Sequence, residues 1–224
     1  MTRALAYCGF RDGKEISLPA TGVNSEPVRL MDRDGLRLLW SEVEWPFESS
    51  QLQKRAVEFH QVVSQVFQQT AVVPFRLLSV FADEPSLVAF VTEHAQAFLE
   101  DLKRLNDFVQ MECVLYPSPD RAEPATTSGT EYLRRRAGWV RSAQVYANAV
   151  HDALGGLSHE ARTRETKNGS RVFALVNRGN EVEFRRVVSG LPVPEHLSRR
   201  ISGPWPASEF LSEGVRAPQM ESTK

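Results

Sequence analysis

ARTRETKNGSRVFALVN (Ala161–Asn177) is the stretch that decides the fold. Asn168-Gly169 is a dipeptide favoured where a tight hairpin turn needs positive φ, and it separates two runs able to form strands. Two short antiparallel strands are therefore predicted around it. Upstream, a long helix is expected over about Thr130–Leu154, ending at Gly155-Gly156. Downstream, Asn180 and Glu183 stand at a helix start. Phe184, Val187, Val188 and Leu191 follow at i, i+3, i+4 and i+7, with Gly190 near the end. A last strand then runs toward Ser202. Counting VQMECVLY (Val109–Tyr116) as the first strand, the order is strand, helix, strand, strand, helix, strand, which is the ferredoxin-like order.

The intervening PSPDRAEPATTS (117–128) holds three prolines and almost no apolar surface, a linker composition that leaves open which half owns the strand before it. Ahead of the linker, Ala4–Phe10 and Leu36–Trp45 read as strands, the second closed by Pro46. Ser50 and Gln53 have capping-box spacing before a helix striped by Leu52, Ala56, Phe59, Val63, Val66 and Phe67. Val72–Phe81 reads as a buried strand. Asp83 is the expected N-cap of a helix with Leu87, Val91, Phe98, Leu102 and Leu105 on one face. The fold class is thus α+β in two domains. An N-terminal α+β unit spans 1–116, the linker 117–128, a ferredoxin-like unit 129–212 and a polar tail 213–224.

Composition narrows the function classes. With 224 residues and 42% hydrophobic content the chain can build proper cores. Lysine plus arginine (27) nearly balance aspartate plus glutamate (28), so no global field draws it to nucleic acid or to an anionic membrane. The first residues lack the basic and apolar regions of a signal peptide, so a cytoplasmic location is expected. Cys8 and Cys113 are too few and too far apart for a disulfide framework or a zinc site.

A search for chemistry finds none of the standard signatures. GFRDGK (Gly9–Lys14) is one residue short of a phosphate-binding loop, and Glu15 stands where a magnesium-binding hydroxyl is needed. There is no G-x-S-x-G elbow, H-E-x-x-H helix or G-x-G-x-x-G turn. His94 falls in the apolar stripe of its helix, where a hydrogen-bonded core histidine is the expectation. No cofactor and no metal is expected. YLRRRAGWVR (Tyr132–Arg141) is the strongest charged cluster, but helical geometry scatters it. Arg134 and Arg141 share a solvent face, while Arg136 falls within the stripe of Leu133, Ala137, Val140 and Ala147. The strand Ser170–Val176 offers only Phe173 as a stacking aromatic, so nucleic acid is not the expected partner.

Four stretches together carry a resemblance. VVPFRLLSVF (Val72–Phe81) resembles the "lPlRFGtvF" strand of the gas vesicle protein F/L family (GvpF/GvpL). FHQVV (Phe59–Val63) resembles its "HeaV" helix, EYLRRRA (Glu131–Ala137) its "YLrrr" helix start, and SGPWPASEF (Ser202–Phe210) its terminal "tGPWPPYsF". Leu78 stands where the family has glycine, and Ala207, Ser208 and Glu209 replace Pro-Tyr-Ser, which marks a divergent member.

The resemblance implies a non-enzymatic accessory protein of vesicle assembly. It would contact the hydrophobic shell protein GvpA, limit its aggregation, and work with other gas vesicle accessory proteins, with no membrane partner. Arg76, Arg136, Trp205 and Phe210 are the candidate contacts with a partner or between domains. Gly203, Pro204 and Pro206 are expected to end the last strand and present Trp205 in one direction, and its burial would contribute ~2–3 kcal/mol. Two competing readings are an RNA-binding ferredoxin-like module, which needs a basic aromatic sheet face, and a small-molecule enzyme, which needs a cleft with converging titratable groups.

Overall fold

The two halves of the sequence condense around two antiparallel sheets and four long helices, seen in a computed structural model that describes residues 1–13, 15–77, 79–118, 128–166 and 169–215. The longest continuously buried run among the described residues, Ala4–Phe10, lies in the central strand of the first sheet, β1 (Thr2–Arg11). On one side β1 pairs with β3 (Leu36–Glu44), from Thr2 opposite Glu44 to Arg11 opposite Leu36. A hairpin joins β3 to the edge strand β2 (Arg29–Arg33) through Asp34-Gly35, both at positive φ. Sequence patterning misses β2 because an edge strand buries little, and here only Met31 is buried.

On its other side β1 meets two short segments rather than the single strand expected over Val72–Phe81. These are β4 (Val73–Pro74) and β5 (Val80–Phe81). Pro74 has no N–H for a continued ladder, and the chain turns at Arg76, whose carbonyl accepts from the Ser79 N–H at 2.9 Å. Leu78 lies outside the described residues.

Helix α1 (Leu52–Phe67) buries Phe59, Val62, Val63, Val66 and Phe67, together with Arg55. Leu52 and Ala56, expected in its stripe, are exposed. The capping box does not form. A 3-10 turn over Ser49–Gln51 precedes the helix, and the Ser50 hydroxyl bonds Glu48 instead of the helix amides. Helix α2 (Glu84–Arg104) starts at Asp83 as predicted, with Asp83 Oδ1 accepting the Ser86 N–H at 2.9 Å. It buries Leu87, Val91, Phe98 and Leu102.

The second sheet has the order β7-β8-β6-β9 and comprises β6 (Phe108–Pro117), β7 (Ser158–Thr166), β8 (Gly169–Asn177) and β9 (Leu197–Trp205). β7 and β8 pair with Thr166 opposite Gly169, so a two-residue connection joins them. Lys167 and Asn168, which make that connection, lie outside the described residues. Helix α3 (Gly129–Ala153) follows β6, and α4 (Glu181–Gly190) follows β8. One alternating face carries Val109, Met111, Cys113 and Leu115 with Val172, Ala174 and Val176, all buried. The guanidinium of Arg199 on β9 donates to Tyr146 Oη on α3 (2.5 Å). It also donates to the carbonyls of Val188, Ser189 and Leu191 at the end of α4. A single cation thereby gathers the carbonyls at the C-terminal end of α4, where the helix dipole favours positive charge.

The expected boundary needs correction. Two compact units divide the chain as Met1–Asp107 together with the segment from Pro206 onward, and Phe108–Trp205. The proline-rich stretch that follows β6 places it, by sequence, with the N-terminal domain. It instead pairs with both β8 and β9 and is an inner strand of the second sheet. Residues 119–127 of the expected linker lie outside the described residues. The tail does not begin at 213, because Glu213–Val215 forms a 3-10 turn against α2 with Val215 buried.

One consequence can be tested with a protease site engineered between Pro119 and Thr127. Once cut, the two fragments should elute as one particle and separate only in denaturant, because β6 keeps both its strand neighbours. Separation under native conditions would contradict this topology.

Candidate partner-binding surface

The sequence places four candidate contacts on motifs far apart in the chain, and they fall two to each compact unit, Arg76 and Phe210 in one and Arg136 and Trp205 in the other. Arg76 is an exposed residue of the turn between β4 and β5. Arg136 is half-buried on α3. Trp205 is the last residue of β9, and Phe210 lies in a 3-10 turn (Ser208–Phe210) that belongs to the other compact unit.

Gly203 does not end its strand. The β6–β9 register shifts between Gln110 and Glu112, and the strand resumes with Trp205 opposite Gln110. Gly203 has φ of 106°, and a Cβ there would lie 2.7 Å from the Gln110 carbonyl oxygen and 3.0 Å from Met111 Sδ. Only glycine meets both demands. The bulge is held from α4, where the Arg185 guanidinium donates to the Gly203 carbonyl.

Trp205 is half-buried, and its indole Nε1–H donates to Ser202 Oγ at 3.3 Å. That hydroxyl donates to Glu112 Oε2 at 3.1 Å, and Arg171 Nε lies 2.6 Å from Glu112 Oε1, a close ion contact without hydrogen-bond alignment. Trp205→Ala should therefore cost about 2 kcal/mol of stability through lost apolar burial. A melting temperature unchanged by the substitution would mean that the indole serves a partner instead of its own sheet.

Phe210 is 1% exposed and offers no surface to a partner. Its carbonyl accepts from Arg104 Nη2 at 2.6 Å, and the same nitrogen donates to Asp101 Oδ1 at 2.6 Å. Asp101 Oδ2 accepts both the N–H (2.8 Å) and the hydroxyl (2.9 Å) of Ser212. Asp101 is itself 3% exposed, so one buried carboxylate on α2 clasps the segment that follows Trp205. Nothing local in the sequence announces this pairing, because its partners are 111 residues apart.

On α3 the core-facing side carries Ala143, Tyr146, Ala147 and Val150, all buried. Leu133 and Ala137, expected in the core stripe with Arg136, are exposed, Leu133 at 62%. Arg134 and Arg141 are exposed, as the helical spacing predicts. The side chains of Glu131, Tyr132 and Arg135 are not among those described.

Among the described residues no group of three or more His, Cys, Asp or Glu could hold a metal ion. Burial pushes the thiols of Cys8 and Cys113 up to about 12, which keeps both protonated and poorly nucleophilic near neutral pH. His94 Nδ1 bonds the Phe90 carbonyl at 2.8 Å, and its ring stacks on Phe90 with centroids 4.3 Å apart. His60 bonds Ser64 on α1, and His159 packs against Phe108. Arg171 on β8 and Arg164 on the neighbouring β7 lie over the Phe173 ring, which is only 4% exposed and so cannot stack on a base. Arg162 pairs with Glu160 at 2.7 Å. No described helix is long and apolar enough to cross a membrane.

Comparison with known proteins bears on the whole chain. The family model described as "Gas vesicle synthesis protein GvpL/GvpF" matches residues 4–212. A "Gas vesicle protein L" of Streptomyces sp. (strain CB03234) is 26% identical over 230 aligned positions, covering 85% of each chain. The crystal structure of gas vesicle protein GvpF from Anabaena sp. PCC7120 superposes with a TM-score of 0.73 at 15% identity, covering 94% of this chain and 96% of that one. GvpF from Microcystis aeruginosa superposes with a TM-score of 0.70 at 15% identity, with 93% and 98% covered. At such identities the two structures speak for the shared α+β fold.

Proposed function

The chain belongs to the GvpL/GvpF family of gas vesicle synthesis proteins, and from that premise we propose that it acts in vesicle assembly by binding the hydrophobic shell protein GvpA. Binding covers apolar segments of GvpA that would otherwise drive its aggregation. The observation that carries this reading is the family match over residues 4–212, nearly the whole described chain. The role is non-enzymatic and cytoplasmic, exercised at the growing vesicle beside other gas vesicle accessory proteins. Protonated thiols and dispersed histidines support a protein that works through surfaces, without a cofactor.

The strand and helix order of Phe108–Trp205, with its β7-β8-β6-β9 sheet, supports reading that unit as a ferredoxin-like domain beside an N-terminal α+β domain. Exposed Arg76 and half-buried Arg136 and Trp205 remain the proposed contacts of the family motifs. The RNA-binding alternative loses its support because Phe173 is buried, Arg162 faces Glu160 and Arg171 faces Glu112.

The test is an in-frame deletion of the coding sequence in the organism that carries it. Vesicle number should fall sharply and be restored by the intact chain from a plasmid. Vesicles of normal number and shape in the deletion strain would contradict the proposal.

A further inference from the structure

Helix α3 presents an outward ridge at i, i+4 spacing made of Leu133, Ala137, Arg141, Val145 and Ala149, all exposed. Leu133 and Val145 are among the most exposed large apolar side chains of the chain, at 62% and 66%. Such a ridge is what one helix offers to the groove of another, and its sixteen steps span roughly 24 Å. Beside its C-terminal half lies a groove of about 370 Å3, lined by Arg141, Val145, Tyr146, Ala149, Pro192 and Pro194. Pro192 and Pro194 have fixed φ and no N–H, so that wall of the groove is preformed and offers little to a polar ligand. The N-terminal half of the helix, which leads into the groove at Arg141, is basic. Between Thr130 and Val145 the sequence has four arginines, at 134, 135, 136 and 141, against the single acid Glu131. Arg134 and Arg141 are exposed on the outward face.

We propose that the α3 ridge and the groove beside it form a docking surface for an acidic amphipathic helix of a partner protein. Leu133 and Val145 meet the apolar stripe of that helix, while its flanking carboxylates meet Arg134 and Arg141. A nucleic acid would draw on a continuous row of cations and gain nothing from the apolar ridge residues between them. A bilayer would need a broad apolar face, and the broad apolar face of α3 is already turned to its own sheet. The assignment goes beyond the shell-protein reading and holds whichever gas vesicle protein supplies the helix.

The probe is a labelled synthetic helical peptide with leucine and alanine along one face and glutamates flanking it, beside a twin with lysines for the glutamates. Fluorescence anisotropy with the full chain should show the glutamate peptide binding about tenfold more tightly than its twin. Arg134→Glu with Arg141→Glu should reverse that preference, and Leu133→Ser with Val145→Ser should weaken binding of both peptides about tenfold or more. All four residues are exposed, so the circular dichroism spectrum and melting temperature of each variant should match those of the parent. Equal affinity for the two peptides, no binding of either, or a preference unmoved by the charge reversal would overturn the proposal. So would tighter binding to polyuridylate RNA or to phosphatidylserine vesicles, abolished by the same reversal. A dimer in sedimentation that blocks the peptide would assign the surface to a second copy of the chain and equally overturn it.

Discussion

Gly203→Val should destabilise the protein by about 3–5 kcal/mol and lower its melting temperature by about 10 °C or more. Two costs add at one position. The backbone at φ 106° is unfavourable for any residue with a Cβ, and that Cβ would stand 2.7 Å from the Gln110 carbonyl oxygen. Neither can be relieved cheaply, because Gln110 lies on β6, an inner strand held by β8 and β9. Differential scanning calorimetry of the purified variant checks this. Gly190→Val is the control, since Gly190 is exposed and nothing lies within 4 Å of an added Cβ there. Equal melting temperatures for the two variants would mean that the bulge does not carry the strain assigned to it.

Asp101→Ala should cost about 3 kcal/mol, with its effect concentrated after Trp205. The substitution removes the acceptor of the Ser212 N–H and hydroxyl and leaves the Arg104 guanidinium without its nearby carboxylate. Hydrogen exchange read by mass spectrometry should show faster exchange over residues 208–215, while peptides from β1 and β3 stay protected. Unchanged exchange over 208–215 would show that the burial of Phe210, Leu211 and Val215 holds the segment without the clasp.

The parts of the fold legible in the sequence are those fixed by local rules. Asp83 announced α2 because its cap is made three residues away, at Ser86. The second hairpin was legible because strand, turn and strand are contiguous, and its two strands pair as read. What escaped depends on distant partners. β2 buries only Met31, so its alternation is nearly invisible. The place of β6 depends on pairing with residues 55 to 95 positions later, while the proline-rich stretch beside it signals only that the chain leaves the sheet. Leu133 and Ala137 fit a core stripe by spacing, yet among the described side chains of α3 the first buried one is Ala143. At the candidate site, SGPWPASEF was recognisable as a motif, but its division of labour was not. Gly203 makes a bulge, Trp205 bonds within the sheet, and Phe210 is buried under a clasp whose acid lies on α2.

In the proposed function this chain binds the gas vesicle shell protein and keeps it from aggregating. Co-expression of GvpA from the same organism with and without the chain, followed by ultracentrifugation of the lysate and quantification of GvpA in the supernatant, tests it most directly. More GvpA should remain in the supernatant when the chain is present, in a complex that persists when salt is raised, because apolar contacts are not screened. GvpA pelleting equally with and without the chain, and never co-purifying with it, would contradict the shell-protein role.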